Sequence, residues 1–210
     1  MPTANQDGPV LSRAFEAAVR FFFRTWCPLH VTGLANIPEP PFLVCANHVS
    51  HLDSLVLMLA TGQRFHRFAL LAASDYFFGH NLRHRMLSLV LTLIPIDRAA
   101  RPTSFQYTLE RCEEFLRSGR ALILFPEGTR SVAGSMGPFK RGASVLSRRL
   151  DIPLLPARIS GTDRVLPKGV RLPRCGPVFV DIGVAIRPGD HACPAQEARL
   201  RILELRAVPK

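Results

Sequence analysis

Lysine is almost missing from this 210-residue chain: Lys140, Lys168 and Lys210 are the only three. The basic character therefore rests on arginine, and acidic residues are sparse enough that the formal net charge reaches +11. Such an excess attracts nucleic acid, anionic lipid or phosphorylated small molecules, and charge alone does not choose among them. Paired cysteines are missing too. Cys27, Cys45, Cys112, Cys175 and Cys193 are odd in number and widely spaced, with no Cys-x-x-Cys pair. That argues against a disulfide framework and a thiolate zinc site, and it fits a reducing compartment. The longest nearly uncharged apolar run, Met86 to Ile96, has 11 residues, whereas a spanning helix needs about 20. Met1 to Pro9 is polar, and Arg13, Glu16, Arg20 and Arg24 interrupt the apolar stretch after it, so no cleavable leader is expected. With 47% hydrophobic and 20% charged residues, a largely disordered chain, a collagen and a coiled coil are excluded.

What is present begins with a periodic segment from about Leu11 to Trp26. On a helical wheel Arg13, Glu16, Arg20 and Arg24 share one stripe, opposite a broad face of Leu11, Phe15, Ala18, Val19, Phe22 and Trp26. Aromatic residues on one side and arginine on the other compose a helix that lies in a membrane interface. A helix packed on the domain core is the commoner alternative. Phe21 to Phe23 carry the apolar surface beyond an ordinary packing stripe, which favours the interfacial account. Phe15, Phe22 and Trp26 are then the residues expected to enter the interface.

Beyond this helix, short apolar runs alternate with helical patterns. Strands are expected at Phe42–Ala46, Phe68–Ala73, Leu93–Ile96, Ala121–Phe125, Leu154–Ile159 and Val178–Val184. Helices are expected at His51–Ala60, Asn81–Leu91, Thr103–Arg117, Phe139–Arg149 and Pro194–Arg206. Strands separated by helices, and themselves continuous apolar runs, imply a mainly parallel sheet with both faces covered. The expectation is an α/β fold: an amphipathic helix over residues 1–28, then one domain over 29–210 with a parallel central sheet flanked by helices. Gly161–Pro177, rich in Gly, Pro and Arg, reads as a surface loop.

In an open α/β sheet the ligand site lies beyond the carboxyl ends of the strands. The polar residues there include Asn47-His48, Asp97-Arg98, Glu127-Gly128-Thr129-Arg130 and Ser160-Gly161-Thr162-Asp163. His48 and Asp53 stand five apart and would point about 140° from each other on a continuous helix. Ser50 resolves this, because Ser-x-x-Asp at 50 to 53 resembles a capping box that starts a helix after a turn. His48 then sits on the loop and Asp53 in the first helical turn, and the two side chains can converge. A carboxylate holding one imidazole nitrogen leaves the other free as a general base toward a hydroxyl. Spacing alone leaves two alternatives open. Asp53 is only a cap beside a satisfied loop histidine, or His48, His51 and Asp53 are metal ligands; the latter lacks the i, i+4 histidine pair of a helical zinc site. The second segment, Phe125-Pro126-Glu127-Gly128-Thr129-Arg130-Ser131, closes an apolar strand. Pro126 ends the ladder, Gly128 permits a tight turn, and Arg130 offers a planar fork for phosphate or carboxylate.

Together these segments resemble the glycerolipid acyltransferase family, which includes the 1-acyl-sn-glycerol-3-phosphate acyltransferases. Asn47 to Asp53 matches its His-x4-Asp block, and Ile94-Pro95-Ile96-Asp97-Arg98 its second block. Phe125 to Ser131 matches the third block throughout, and Ile152-Pro153-Leu154-Leu155-Pro156-Ala157 the fourth. The blocks extend over residues 47–157 in the family's order. Departures are slight: Pro95 stands where a bulky apolar residue is common, and Ala157 where Val or Ile is usual.

The resemblance implies that His48, oriented by Asp53, deprotonates a lysophospholipid hydroxyl as it attacks an acyl thioester. No cofactor or metal is implied; acyl-CoA or acyl carrier protein is the co-substrate. Glu127, Gly128, Thr129 and Arg130 are assigned to the acceptor, with Arg130 and Arg98 pairing its phosphate. Main-chain N–H groups near Ser50 are expected to hold the oxyanion. Lysophosphatidic acid, giving phosphatidic acid, is the first acceptor to expect. Another lysolipid such as a lyso-ornithine lipid keeps the same chemistry. Of a different class is a non-enzymatic basic module on nucleic acid, but no nucleic-acid fold signature is present and the arginines are spread along the chain. The expected partners are thus the lysolipid, the acyl donor and an anionic membrane surface, without nucleic acid. The expected location is cytoplasmic, peripheral on the inner face of the cell membrane.

Overall fold

The computed structural model describes residues 10–73, 88–97, 102–131, 135–167 and 169–205. Its centre is a seven-stranded sheet of β1 (Leu29–Thr32), β2 (Leu43–Ala46), β3 (Phe68–Ala73), β4 (Thr92–Ile96), β5 (Ala121–Leu124), β6 (Leu154–Ser160) and β7 (Val178–Ile182). Their order across the sheet is β1-β7-β6-β2-β5-β3-β4. β6, β2, β5, β3 and β4 run parallel to their neighbours, while β7 pairs antiparallel with β6 and parallel with β1. The mainly parallel sheet expected from the apolar runs is therefore present, with one reversal at the β6–β7 seam.

Two apolar layers cover the sheet because each central strand is buried on both faces. Phe42, Val44 and Ala46 face one layer, where they meet Val56 and Met58 of α2 (Asp53–Ala60) and Val19 and Phe23 of α1 (Val10–Thr25). Leu43 and Cys45 face the other layer. That layer is formed by α3 (Pro102–Leu116), α4 (Gly142–Leu150) and α6 (Pro194–Glu204), through residues such as Cys112, Leu146 and Ile202. Burial pushes the Cys45 thiol up, away from the reactive thiolate, as befits a small core residue. The four-residue helix α5 (Thr162–Val165) follows β6 within the segment expected to be loop.

Two differences from the sequence expectation have physical causes, and one expectation is not tested. β1 was not expected, because its burial alternates half-buried and exposed along an edge of the sheet and leaves no apolar run. The Asn81–Leu91 helix lies almost wholly outside the described residues. The face that α1 buries is rotated from the expected one: Ser12, Glu16, Val19 and Phe23 are buried, while Val10, Leu11, Phe21 and Trp26 are exposed. Glu16 tolerates burial because its carboxylate accepts from the Phe65 N–H at 3.0 Å and from Arg20 Nε at 3.0 Å, with Arg64 at 3.6 Å. Phe15 and Phe22, expected to point outward, pack half-buried against the core.

Candidate active site

β2 delivers the chain to His48 two residues after its last residue, at the carboxyl end shared by the parallel strands. The chain then turns through Ser50 before α2 begins at Asp53, and the side chains of His48 and Asp53 meet at 2.9 Å between Nδ1 and Oδ2. Asp53 is fully buried. Its Oδ2 also accepts from the Val49 N–H at 2.7 Å and the Ser50 N–H at 2.8 Å, and its Oδ1 accepts from the Thr162 hydroxyl at 2.6 Å. Every neighbour of the carboxylate is a donor, so the imidazole presents Nδ1–H to it and keeps Nε2 as an acceptor. The His48 ring stacks on Phe125 with centroids 4.1 Å apart and planes 16° apart. Its side chain remains 23% exposed.

Half of the expected capping box forms. Asp53 reaches back to the Ser50 N–H, but the Ser50 hydroxyl donates to the Leu166 carbonyl at 2.9 Å and accepts from the Leu52 N–H at 3.3 Å. The amides of Val49, Ser50 and Leu52 are thus committed, and the Asp53 N–H donates to the Ser50 carbonyl. These four amides hold the aspartate and its turn, so they are not the oxyanion donors expected from the helix start.

The turn after β5 supplies the second half of the site. Glu127 is buried, and both of its oxygens are taken by protein donors. Oε1 accepts from the His48 N–H at 2.9 Å, while Oε2 accepts from the Gly137 N–H at 2.8 Å and from the Ser131 hydroxyl. The Ser131 N–H donates in turn to the His48 carbonyl at 2.8 Å. Both polar groups of the His48 backbone are therefore bound to the third block. Gly128 adopts φ 73°, and a Cβ there would lie 2.9 Å from Lys140 Nζ, so the ammonium rests over the turn. Thr129 is exposed and Arg130 half-buried. Neither Arg130 nor Lys140 forms an ion pair among the described residues. Arg98 lies outside the described residues; Asp97 directly follows β4.

Two positioning residues carried no assignment from the sequence. Asn47 forms a reciprocal clamp on β6, its Nδ2 donating to the Ile159 carbonyl at 2.9 Å and its Oδ1 accepting from the Ile159 N–H at 2.8 Å. Thr162 reaches Asp53 because Gly161, at φ 90°, turns the chain where a Cβ would lie 2.4 Å from the Pro177 carbonyl oxygen. The available signal for both was their place just after a strand end. Elsewhere, a cavity of about 530 Å³ opens between α1 and Gly62–Arg67, ahead of β3. Its Arg20 and Arg64 already face Glu16, and it lies at the opposite end of the strand from the dyad.

Fold and geometry define an α/β protein with a histidine–aspartate pair where its parallel strands end. The chain belongs to the acyltransferase family, whose model matches residues 28–160. It is 30% identical over 179 residues to a chloroplastic 1-acyl-sn-glycerol-3-phosphate acyltransferase of Arabidopsis thaliana, covering 84% of this chain and 48% of that protein. It is 30% identical over 158 residues to a 1-acyl-sn-glycerol-3-phosphate acyltransferase of Pseudomonas aeruginosa, covering 68% of this chain and 58% of that one. The crystal structure of the 1-acyl-sn-glycerophosphate (LPA) acyltransferase of Thermotoga maritima superposes with a TM-score of 0.67 at 27% identity, over 92% of this chain and 76% of that one. The chain spans about half the length of the curated relatives it matches.

Proposed function

We propose that this protein transfers a fatty acyl group from acyl-CoA or acyl carrier protein to the free hydroxyl of lysophosphatidic acid. The observation that carries this is the His48–Asp53 dyad, its imidazole partly exposed and its backbone held by a turn whose Arg130 has no protein counter-ion among the described residues. Nε2 takes the hydroxyl proton as the oxygen attacks the thioester carbonyl. The tetrahedral adduct collapses with cleavage of the carbon–sulfur bond, and the departing thiolate receives the proton from the imidazolium. No acyl-enzyme is required, because the thiolate is a good leaving group and the alcohol is positioned. Asp53 keeps Nδ1 protonated and stabilises the imidazolium. Arg130 offers a bidentate fork to the acceptor phosphate. Glu127, whose oxygens are occupied, serves the acceptor indirectly by fixing the His48 backbone.

The acceptor and product belong to bilayers, yet no helix among the described residues is long and apolar enough to cross a membrane. The exposed Val10, Leu11, Phe21 and Trp26 of the α1 segment, flanked by Arg13 and Arg24, supply a face suited to an anionic interface. The test is release of free thiol from acyl-CoA or acyl carrier protein on adding lysophosphatidic acid. The expected result is acceptor-dependent release, lost in a folded His48→Ala variant. A folded His48→Ala protein with undiminished release would overturn the mechanism.

A further inference from the structure

The segment Gly161–Pro177 was expected only as a surface loop, yet it is fastened at both ends to functional parts of the molecule. At its start, Thr162 donates to Asp53 and the Leu166 carbonyl accepts from Ser50. At its end, the Cys175 thiol donates to the Trp26 carbonyl at 3.0 Å, and the Cys27 thiol to the Arg174 carbonyl at 3.4 Å. The Arg174 N–H donates to the Val165 carbonyl at 2.7 Å, which ties the far end of the segment back to α5. The loop nevertheless presents Leu172 at 78% exposure, next to the exposed Arg171 and Arg174. Neither arginine side chain has an ion-pair partner among the described residues.

We propose that this loop, with Leu172 at its apolar tip and Arg171 and Arg174 beside it, is a second contact with an anionic bilayer, joining the α1 surface to the mouth of the active site. Single exposed apolar residues are ordinary on a protein surface. Here the leucine stands three residues from the thiol that touches Trp26, a reach of at most about 10 Å. Trp26 is itself 53% exposed and is the only tryptophan. Apolar tips ringed by arginine match the two components of an anionic lipid surface, its acyl boundary and its headgroup charge. Leu172 stands six positions from Leu166, whose carbonyl holds Ser50, so the contact lies within about 20 Å of chain from the point where this segment meets the dyad loop. The dyad is thereby held near the surface that carries the lysolipid.

This inference rests on the lipid-acyltransferase reading, and the experiment separates the two. The full chain carrying Leu172→Asp together with Arg171→Glu, both exposed positions, is compared with the parent. Binding to vesicles of equal parts phosphatidylglycerol and phosphatidylcholine is followed by sedimentation and by Trp26 fluorescence. Acyl transfer is measured on vesicle-borne lysolipid and on a monomeric short-chain lysolipid with the same donor. Vesicle affinity should fall about ten- to a hundredfold, from the loss of one buried leucine and reversal of one basic charge. Activity on vesicle-borne substrate should fall with it, while monomeric substrate is turned over as before. Leu172→Ala alone should give a smaller loss in the same direction, which covers the case of a double variant that fails to fold. Unchanged vesicle binding would overturn the proposal. So would unchanged binding with loss of activity on both substrates, the pattern of a docking site for an acidic carrier protein. If the parent transfers no acyl group to any lysolipid, the enzymatic reading fails, and the sedimentation result alone decides the membrane contact.

Discussion

Around Asp53 and Glu127 both carboxylates are saturated by the protein's own donors, whereas the turn at Gly128–Arg130 and the ammonium of Lys140 above it are left without counter-ions among the described residues. On the proposed function, the difference separates two kinds of work. A general base must be held in one tautomer and one orientation before the substrate arrives, so its supporting groups are paired within the protein. A phosphate site must reserve its charge for the ligand, and guanidinium or ammonium groups that already had carboxylate partners would bind it less tightly. His48 couples the two regions. Its side chain belongs to the first region, and both polar groups of its backbone are held by the loop that carries the second.

The largest effect that would break this comparison is expected at Asp53. Asn at this position turns an amide toward a set of donors that includes the imidazole Nδ1–H, so the ring loses its tautomer and its orientation. General-base catalysis contributes about 10²–10⁴-fold, and the fall in kcat for Asp53→Asn should lie in that range, measured by thiol release with saturating acceptor. A smaller loss is expected at Arg130. Removing a hydrogen bond to a charged group costs roughly 1.5–3 kcal/mol, which is about ten- to a hundredfold in kcat/KM. Arg130→Ala should place that loss in the acceptor KM, and Arg130→Lys should recover little of it for want of the planar fork. The loss should shrink with an acceptor that lacks the phosphate. Thr162→Val is expected to do least to turnover. It strips one donor from the buried carboxylate, so a melting experiment should show about 1.5–3 kcal/mol of lost stability, while kcat falls only several-fold. Thr162→Ser should restore both, since the hydroxyl is the group in use. An acceptor KM that rises in Thr162→Val would place the threonine in the recognition half.

The strands that carry the site were legible because burial on both faces writes them as apolar runs: Leu43–Ala46 and Ala121–Leu124 are buried throughout. β1 was not, since an edge strand with one wet face needs no such run. The wheel for α1 failed in a particular way. It assigned Glu16 to the solvent side with its arginine neighbours, whereas the Phe65 N–H and two arginines make a buried glutamate tolerable there. Long-range donors of that kind leave no mark on local periodicity. At the site, the turn at Ser50 was enough to expect His48 and Asp53 to meet. The partners that secure them were hidden, because Thr162 and Ile159 are more than a hundred residues away and reach the dyad loop only through the pairing of β2 with β6. Glu127 illustrates the remaining gap. A conspicuous carboxylate in a substrate-associated block points to the ligand on paper, but its partners in the fold are the His48 backbone, Gly137 and Ser131.

Glu127 is therefore where the division between a prearranged base and an open phosphate site is tested most directly. Glu127→Gln keeps shape and volume but faces an amide N–H₂ toward donors, either the His48 N–H or the Gly137 N–H and Ser131 hydroxyl. The measurement is kcat and acceptor KM, determined separately for Glu127→Gln beside Arg130→Ala on the same lysophosphatidic acid. The account predicts that Glu127→Gln lowers kcat, with an acceptor KM like that of the parent, while Arg130→Ala raises the acceptor KM. An acceptor KM raised by Glu127→Gln as much as by Arg130→Ala, with kcat intact, would contradict it and put Glu127 on the substrate.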